Sequence, residues 1–277
     1  MTGPAYLNGK FYEGPDAVWP YNDLGLHRGF AIFDFLRTRQ GRPFLLPRYL
    51  DRFERSAQQL GISVPHTREE ITQIIDQLLA KKHLPEVGIR LLLTAGVAEG
   101  AEAKPHFGIS LSGLEPPTAA QYQHGAALIT QAYQRQFPAV KTTDYLMAWS
   151  LKSAIKEAQA MEVLYHHAGF VAECARCNVF VVKDGTLATP KEGILMGITR
   201  GKVLELAEEL GLAVEQCPVT LTELMAADEV FVTSTQKGVC PIAKIDGRAI
   251  GHGKPGEVTQ KLMEAFFAVA PALNPIS

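Results

Sequence analysis

Val140-Lys141-Thr142-Thr143-Asp144-Tyr145-Leu146 is the stretch on which the reading of this chain turns. A lysine follows Pro138-Ala139 and precedes an apolar run, and the spacing predicts a long amphipathic helix over 142–161. Further on, an acid stands in a β-rich stretch, Val171-Ala172-Glu173-Cys174-Ala175-Arg176-Cys177-Asn178-Val179-Phe180. Ile194-Leu195-Met196-Gly197-Ile198-Thr199-Arg200 then opens another predicted helix. Phe231-Val232-Thr233-Ser234-Thr235 ends a predicted strand.

Around these landmarks the chain alternates strand and helix patterns. Asn8-Gly9 is a two-residue hairpin signal inside Ala5–Tyr12. Leu50, Phe53, Ala57 and Leu60 have helical spacing, with Gly61 placed to stop the helix. Thr67 and Glu70 form a capping-box pattern ahead of Ile71, Ile74, Ile75 and Leu78. Strands are expected over 89–94 and 107–112, and the proline-bearing run from Gly113 breaks the pattern. Beyond it the sequence predicts a strand at 126–131. A meander over 163–165, 170–173, 178–182 and 187–189 follows, with a turn at Asp184-Gly185. Helical stripes then run through Val203, Leu206, Ala207 and Leu210, and through Val258, Leu262, Ala265, Phe266 and Val269. The expected division is a small α+β domain over 1–115, a linker over 116–125 and a larger domain over 126–277.

Composition bounds the function classes. The 277 residues are 47% hydrophobic and 20% charged, as expected of a globular protein with a core. A net charge of -2 gives no electrostatic footprint for nucleic acid or an anionic membrane. No apolar run approaches the ~20 residues that span a bilayer. Residues 1–10 lack the order of a secretory signal, and four cysteines suit a reducing compartment, so a cytoplasmic location is expected.

The chemistry lies in the combination. Taken alone, Lys141 is a lysine like any solvated one, Glu173 a turn residue pairing with Arg176, Thr199 an ordinary helix cap and Thr235 a loop residue. Together they supply an amine nucleophile, a carboxylate and two hydroxyl-rich turns. A lysine with a partly buried stem is the better nucleophile. A buried carboxylate needs a cationic or hydrogen-bonded partner. A helix N-terminus offers free N–H groups to a phosphate. Pyridoxal 5′-phosphate (PLP) requires these three elements: a Schiff-base lysine, a ring-nitrogen partner and a phosphate cup.

In this order and spacing the motifs resemble the fold-type IV PLP enzymes, which include branched-chain aminotransferases, D-amino acid transaminases and aminodeoxychorismate lyases. The resemblance extends from Tyr6-Leu7-Asn8-Gly9 through Leu50-Asp51-Arg52-Phe53 to Asp228–Thr235. It implies a small N-terminal α+β domain, a larger β-barrel-like C-terminal domain with helices, and a homodimer. It also implies that Lys141 is the Schiff-base lysine and proton shuttle, Glu173 the ring-nitrogen partner and Tyr145 the donor to the ring oxygen. Arg52, Ile198, Thr199 and Thr235 would hold the phosphate, and Leu195 would pack on the ring. The sequence departs from the common pattern at Tyr49, where many members have histidine, and at Cys174 and Cys177.

The substrate end matches neither familiar pocket. Gly88-Ile89-Arg90-Leu91 lacks the tyrosine and proline of the branched-chain pattern Tyr-x-Arg-Pro, and Thr94-Ala95-Gly96 lacks the Thr-Arg-Gly of common D-amino acid transaminases. Arg28 and Arg90 could instead grip a carboxylate between them, as in a less common D-amino acid transaminase subgroup. Arg90 is expected to be buried among apolar strand neighbours and to need a partner. The expected reaction moves the amino group of a D-glutamate- or D-alanine-type substrate to a 2-oxo acid such as 2-oxoglutarate. A branched-chain L-amino acid aminotransferase and an aminodeoxychorismate lyase are the alternatives. Cys174-x-x-Cys177 alone is a weak redox or metal signal, with no second pair at zinc spacing, and no metal is expected.

Overall fold

The computed structural model describes residues 2–99 and 102–270. The chain divides into two compact units, Met1–Glu115 with Val140–Asp144, and Pro116–Ala139 with Tyr145–Ser277.

The first unit contains β1 (Thr2–Leu7), β2 (Lys10–Tyr12), α1 (Leu24–Arg28), β3 (Ala31–Arg39), β4 (Arg42–Pro43), α2 (Leu46–Gln59), α3 (Arg68–Leu79), β5 (Gly88–Glu99) and β6 (Glu102–Ser112). Its strands form one antiparallel sheet in the order β2-β1-β6-β5-β3-β4. Asn8 and Gly9 both take positive φ (48° and 90°), as the predicted hairpin requires. The Thr67–Glu70 capping box closes: Thr67 N–H donates to the Glu70 carboxylate at 2.9 Å, and Glu70 N–H to Thr67 Oγ1 at 3.2 Å. Strands β5 and β6 run further than the hydrophobic pattern suggested, past a bulge between Thr94 and Val97. Only glycine fits at Gly96, because its φ is 75° and a Cβ there would lie 1.6 Å from the Lys104 carbonyl oxygen. Eight of the nine β3 residues are buried, so this strand is covered on both faces. Helix α2 packs against it with Tyr49, Leu50, Phe53 and Ala57 buried.

The second unit contains α4 (Ala119–His124), β7 (Ala126–Ala132), α5 (Leu146–Ser150), α6 (Lys152–Glu157), β8 (Glu162–His167), β9 (Phe170–Cys174), β10 (Asn178–Lys183), β11 (Thr186–Thr189), α7 (Ile198–Glu209), β12 (Val214–Gln216), α8 (Leu221–Met225), β13 (Glu229–Ser234), β14 (Gly238–Ile245), β15 (Arg248–Ala249) and α9 (Glu257–Val269). A nine-stranded mixed sheet runs β12-β11-β10-β13-β14-β7-β8-β9, with β15 on β14. Phe180 on β10 and Phe231 on β13, paired in register, stack at 4.8 Å between centroids. Of the predicted stripes, α7 buries Val203, Leu206 and Ala207 but leaves Leu210 exposed, and α9 buries Leu262 and Phe266 while Val258, Ala265 and Val269 are half-buried.

Three sequence expectations are corrected. The helix over 142–161 is two short helices, α5 and α6, and Lys141 precedes them, next to an isolated bridge at Thr142. The meander is two separate hairpins, β8-β9 and β10-β11, because β10 pairs on its other side with β13 and not with β9. The segment 116–125 carries α4, closed by its own capping box between Thr118 and Gln121, and so is not an open linker.

Candidate active site

The first unit holds the candidate amine. Lys141 lies against β3 because two backbone hydrogen bonds, which together form one antiparallel bridge, hold it there. Phe33 N–H donates to the Lys141 carbonyl at 2.9 Å, Thr143 N–H donates to Ala31 O at 3.3 Å, and Thr142 bridges Ile32. The Lys141 N–H donates to Ser56 Oγ on α2 at 3.3 Å. Lys141 Nζ sits 4.7 Å from the centre of the Phe33 ring. The Arg90 guanidinium lies 5.0 Å from that same ring and 5.4 Å from Phe35. The register explains this: Phe35 faces Arg90 across β3 and β5, and Phe33 is two residues along on the same face. Arg90 is exposed, not buried as expected. Contact with ring faces contributes to its stabilisation, an interaction worth ~0.5–1 kcal/mol at exposed sites.

The opposite face of β3 carries Asp34, fully buried. It accepts Arg52 Nε at 2.9 Å and Nη2 at 2.6 Å, and Phe35 N–H at 2.7 Å. Asp34 therefore orients the guanidinium assigned above to phosphate, and the Tyr49 ring lies 5.3 Å from it. Arg28 is exposed in the last turn of α1, which Gly29 ends in the left-handed region. The start of α1 is tied down by buried Asp23. Its carboxylate accepts Gly25 N–H at 2.6 Å, Thr94 Oγ1 at 2.7 Å and lies 2.7 Å from His106 Nδ1. Sequence reasoning missed Ser56, Asp34 and Asp23. The one available signal was an aspartate inside the otherwise apolar run Ala31–Leu36, which demands a buried partner.

The second unit holds the candidate acid. Glu173, at the end of β9, is buried and does not pair with Arg176. Its Oε1 accepts Arg135 Nη1 at 2.8 Å and the Leu195 N–H at 3.1 Å, and its Oε2 accepts the Asn178 amide at 3.3 Å. Arg176 instead bonds buried Glu162 at 3.0 Å, which Lys237 also approaches at 3.4 Å. Asn178 is a hub: it also donates to Leu195 O at 2.8 Å, and in the sheet it faces Thr233, two residues before Thr235. A Cβ on Gly197 would lie 2.0 Å from the Asn178 Oδ1, so the start of α7 closes tightly on it. Glycine at this cap leaves no side chain to cover the first turn, where Ile198 and buried Thr199 lie. Tyr145 caps α5, and burial pushes its phenol up to about 12, so it remains a hydrogen-bond donor. Cys174 and Cys177 are buried free thiols, and burial pushes the Cys174 thiol up, away from thiolate chemistry. Among the described residues no three His, Cys, Asp or Glu side chains are grouped to hold a metal ion, and no helix is long and apolar enough to cross a membrane.

The family described as amino-transferase class IV matches residues 31–245. This chain is a class IV aminotransferase. It is 38% identical, over 94% of each chain, to a provisionally named branched-chain-amino-acid aminotransferase of Methanocaldococcus jannaschii. It is 32% identical to the D-alanine aminotransferase of Bacillus licheniformis, again over 94% of each. The branched-chain amino acid aminotransferase of Escherichia coli superimposes with a TM-score of 0.90 at 26% identity, covering 99% of this chain and 96% of that one. A second branched-chain amino acid aminotransferase, that of T.th. with pyridoxamine 5′-phosphate, gives 0.90 at 28% identity and the same coverage. The fold is that of the type IV aminotransferases.

Class IV aminotransferases use PLP. The residues present fit it. The uncapped start of α7 offers N–H groups and a helix dipole to a phosphate. Buried Glu173, set in hydrogen bonds from Arg135, Asn178 and Leu195, suits a cationic ring nitrogen.

Proposed function

We propose that this aminotransferase moves the amino group of a D-glutamate- or D-alanine-type amino acid to a 2-oxo acid such as 2-oxoglutarate. The observation that carries this reading is the shared Phe33 ring. Lys141 Nζ and the Arg90 guanidinium both sit on it, on a strand without the flanking tyrosine and proline of the branched-chain pattern. A substrate carboxylate gripped by Arg90 would thus be held on the same sheet face as the reacting amine. The similarity to D-alanine aminotransferases supports the same reading.

PLP, when bound, supplies the carbonyl carbon that accepts the amino group and a ring that withdraws electrons. The protein's residues do the rest. Lys141 would hold the cofactor through Nζ and would move the proton taken from the substrate Cα. Glu173 would carry the negative charge against the ring nitrogen, and Tyr145 would donate to the ring oxygen. Arg52, the Ile198 N–H, Thr199 and Thr235 would bind the phosphate, and Leu195 would pack on the ring. Arg28 and Arg90 would bind the substrate carboxylate. The proposal includes a homodimer: Val18, Tyr21 and Leu26, in the segment that leads to Arg28, are more than 60% exposed and would be covered by a second copy.

A branched-chain L-amino acid aminotransferase is the second reading, favoured by the relative at 38% identity. A half-reaction separates the two. The yellow holoenzyme is mixed, without a keto acid, with D-glutamate or with L-leucine, and the visible band is followed. Bleaching by D-glutamate alone is the expected result. Bleaching by L-leucine alone overturns the D-specific reading.

A further inference from the structure

Arg135 belongs to no motif discussed so far, yet it places a cation directly on the candidate ring-nitrogen partner. Its Nη1 lies 2.8 Å from Glu173 Oε1, with the two side chains only 15% and 7% exposed. The same nitrogen donates to the Pro138 carbonyl at 3.2 Å, which fixes the guanidinium to the backbone leading into Lys141. In so sheltered a place a carboxylate is costly to keep charged without a cation beside it. Of the three groups named above as bonded to Glu173, Arg135 is the ion; the Asn178 amide and the Leu195 N–H are neutral.

We propose that Arg135 is a positioning residue for the aminotransferase reaction: it keeps Glu173 ionised and aimed, and through it governs how tightly the protein holds the nitrogen of the cofactor ring. The proposal rests on Glu173 being the ring-nitrogen partner. Arg135 and the Leu195 N–H both bind Oε1, so the carboxylate is fixed in rotation, and Asn178 marks Oε2. Without the guanidinium, Glu173 would take up a proton more readily and lose its preference for a protonated ring. Arg176 and Lys237 are no substitutes, because both are engaged with Glu162.

The test compares two cofactors on apoenzyme: PLP and its analogue with carbon in place of the ring nitrogen. Dissociation constants are measured by fluorescence for wild type, Arg135→Met, Arg135→Lys and Glu173→Gln. Residues that hold the ligands of a metal site typically matter by about 10- to 100-fold, and the same scale is expected for a residue that holds a cofactor's partner. Arg135→Met should therefore weaken PLP about 10-fold and leave the carbon analogue almost unaffected, with Arg135→Lys restoring part of the difference. Equal weakening of both cofactors by Arg135→Met overturns the proposal, since a merely structural role cannot sense the ring nitrogen. If Glu173→Gln also fails to distinguish the two cofactors, the assignment of Glu173 itself is wrong. If it distinguishes them while Arg135→Met does not, Arg135 alone is misassigned. Circular dichroism of each apoenzyme identifies a variant that does not fold, in which case Arg135→Lys decides: a PLP-selective loss supports the proposal and a uniform loss overturns it.

Discussion

Removing Asp34 should destabilise the first unit more than any other single carboxylate deletion there outside Asp23. Asp34 is fully buried and takes three hydrogen bonds: two from Arg52, at 2.6 and 2.9 Å, and one from Phe35 N–H at 2.7 Å. Arg52 is itself only 7% exposed. Asp34→Ala leaves that guanidinium buried beside an empty space. Breaking a buried ion pair from one side costs about 3–5 kcal/mol, because the remaining charge has lost that carboxylate. Replacing both partners with apolar residues of similar volume is far milder, often neutral. So Asp34→Leu combined with Arg52→Met should lose much less stability than Asp34→Ala alone. Urea unfolding of the apoenzyme, followed by circular dichroism and by hydrogen exchange of β3 amides, measures both. Lys183→Ala, which breaks an exposed pair with Asp228, serves as a reference with little effect. A loss below about 1 kcal/mol for Asp34→Ala, or an equal loss in the double variant, would refute the argument that the pair is a desolvated and mutually dependent unit.

Lys141→Ala should abolish transamination and the visible absorbance of the holoenzyme, while the melting temperature of the apoenzyme stays near that of wild type. Arg90→Ala should raise KM for D-glutamate by about 10- to 100-fold, the loss of a charge-assisted hydrogen bond worth ~1.5–3 kcal/mol, with a smaller effect on kcat; unchanged kinetics would remove Arg90 from the substrate site. Thr199→Val should weaken PLP binding by equilibrium dialysis without altering substrate preference. Burial pushes the Cys240 thiol up to about 12 from an ordinary value of 9.0. The unfolded chain thus releases this proton first, so this contribution to stability is full below pH 9.0 and is lost as pH rises toward about 12. Alkaline denaturation should be shallower in Cys240→Ala, and an unchanged slope would contradict that assignment.

Signals in the sequence are legible where the structure is local. The Asn8-Gly9 turn, the Thr67–Glu70 box and the stripes of α2, α7 and α9 each depend on residues within a few turns of one another. The predicted helix does not start at Thr142 for a nonlocal reason. The Lys141 carbonyl and the Thr143 N–H are taken by Phe33 and Ala31, far away in the chain, and this pairing overrides helix propensity. The meander gives way likewise, because period-2 patterning identifies strands but does not say that β13 takes the place beside β10. The site shows the same division. Glu173 is visible in the sequence, while its partners Arg135 and Leu195 lie 38 and 22 residues away and carry no ion-pairing motif of their own.

The placing of Lys141 follows from these long-range pairings. An amine that must change partners during a reaction gains from a fixed backbone. Helical backbone at residue 141 would tie its orientation to the turns that follow, whereas the bridge at Thr142 pairs it with β3 and sets its side-chain direction by strand alternation. That alternation divides the work of β3. Phe33 and Phe35 present ring faces to Lys141 and Arg90, and Asp34 between them turns the other way to hold Arg52. One strand thus treats these three cations in two ways: Arg52 is bound to a buried carboxylate, and Lys141 and Arg90 lie against aromatic rings. Contact with a ring face stabilises a charge more weakly than a buried carboxylate does. In the proposed reaction Arg52 keeps one partner, the phosphate, throughout, while Lys141 and Arg90 must engage and release a substrate at each turnover. The strand therefore gives its firm anchor to the cation with the constant task and its weaker ring contacts to the two that exchange partners.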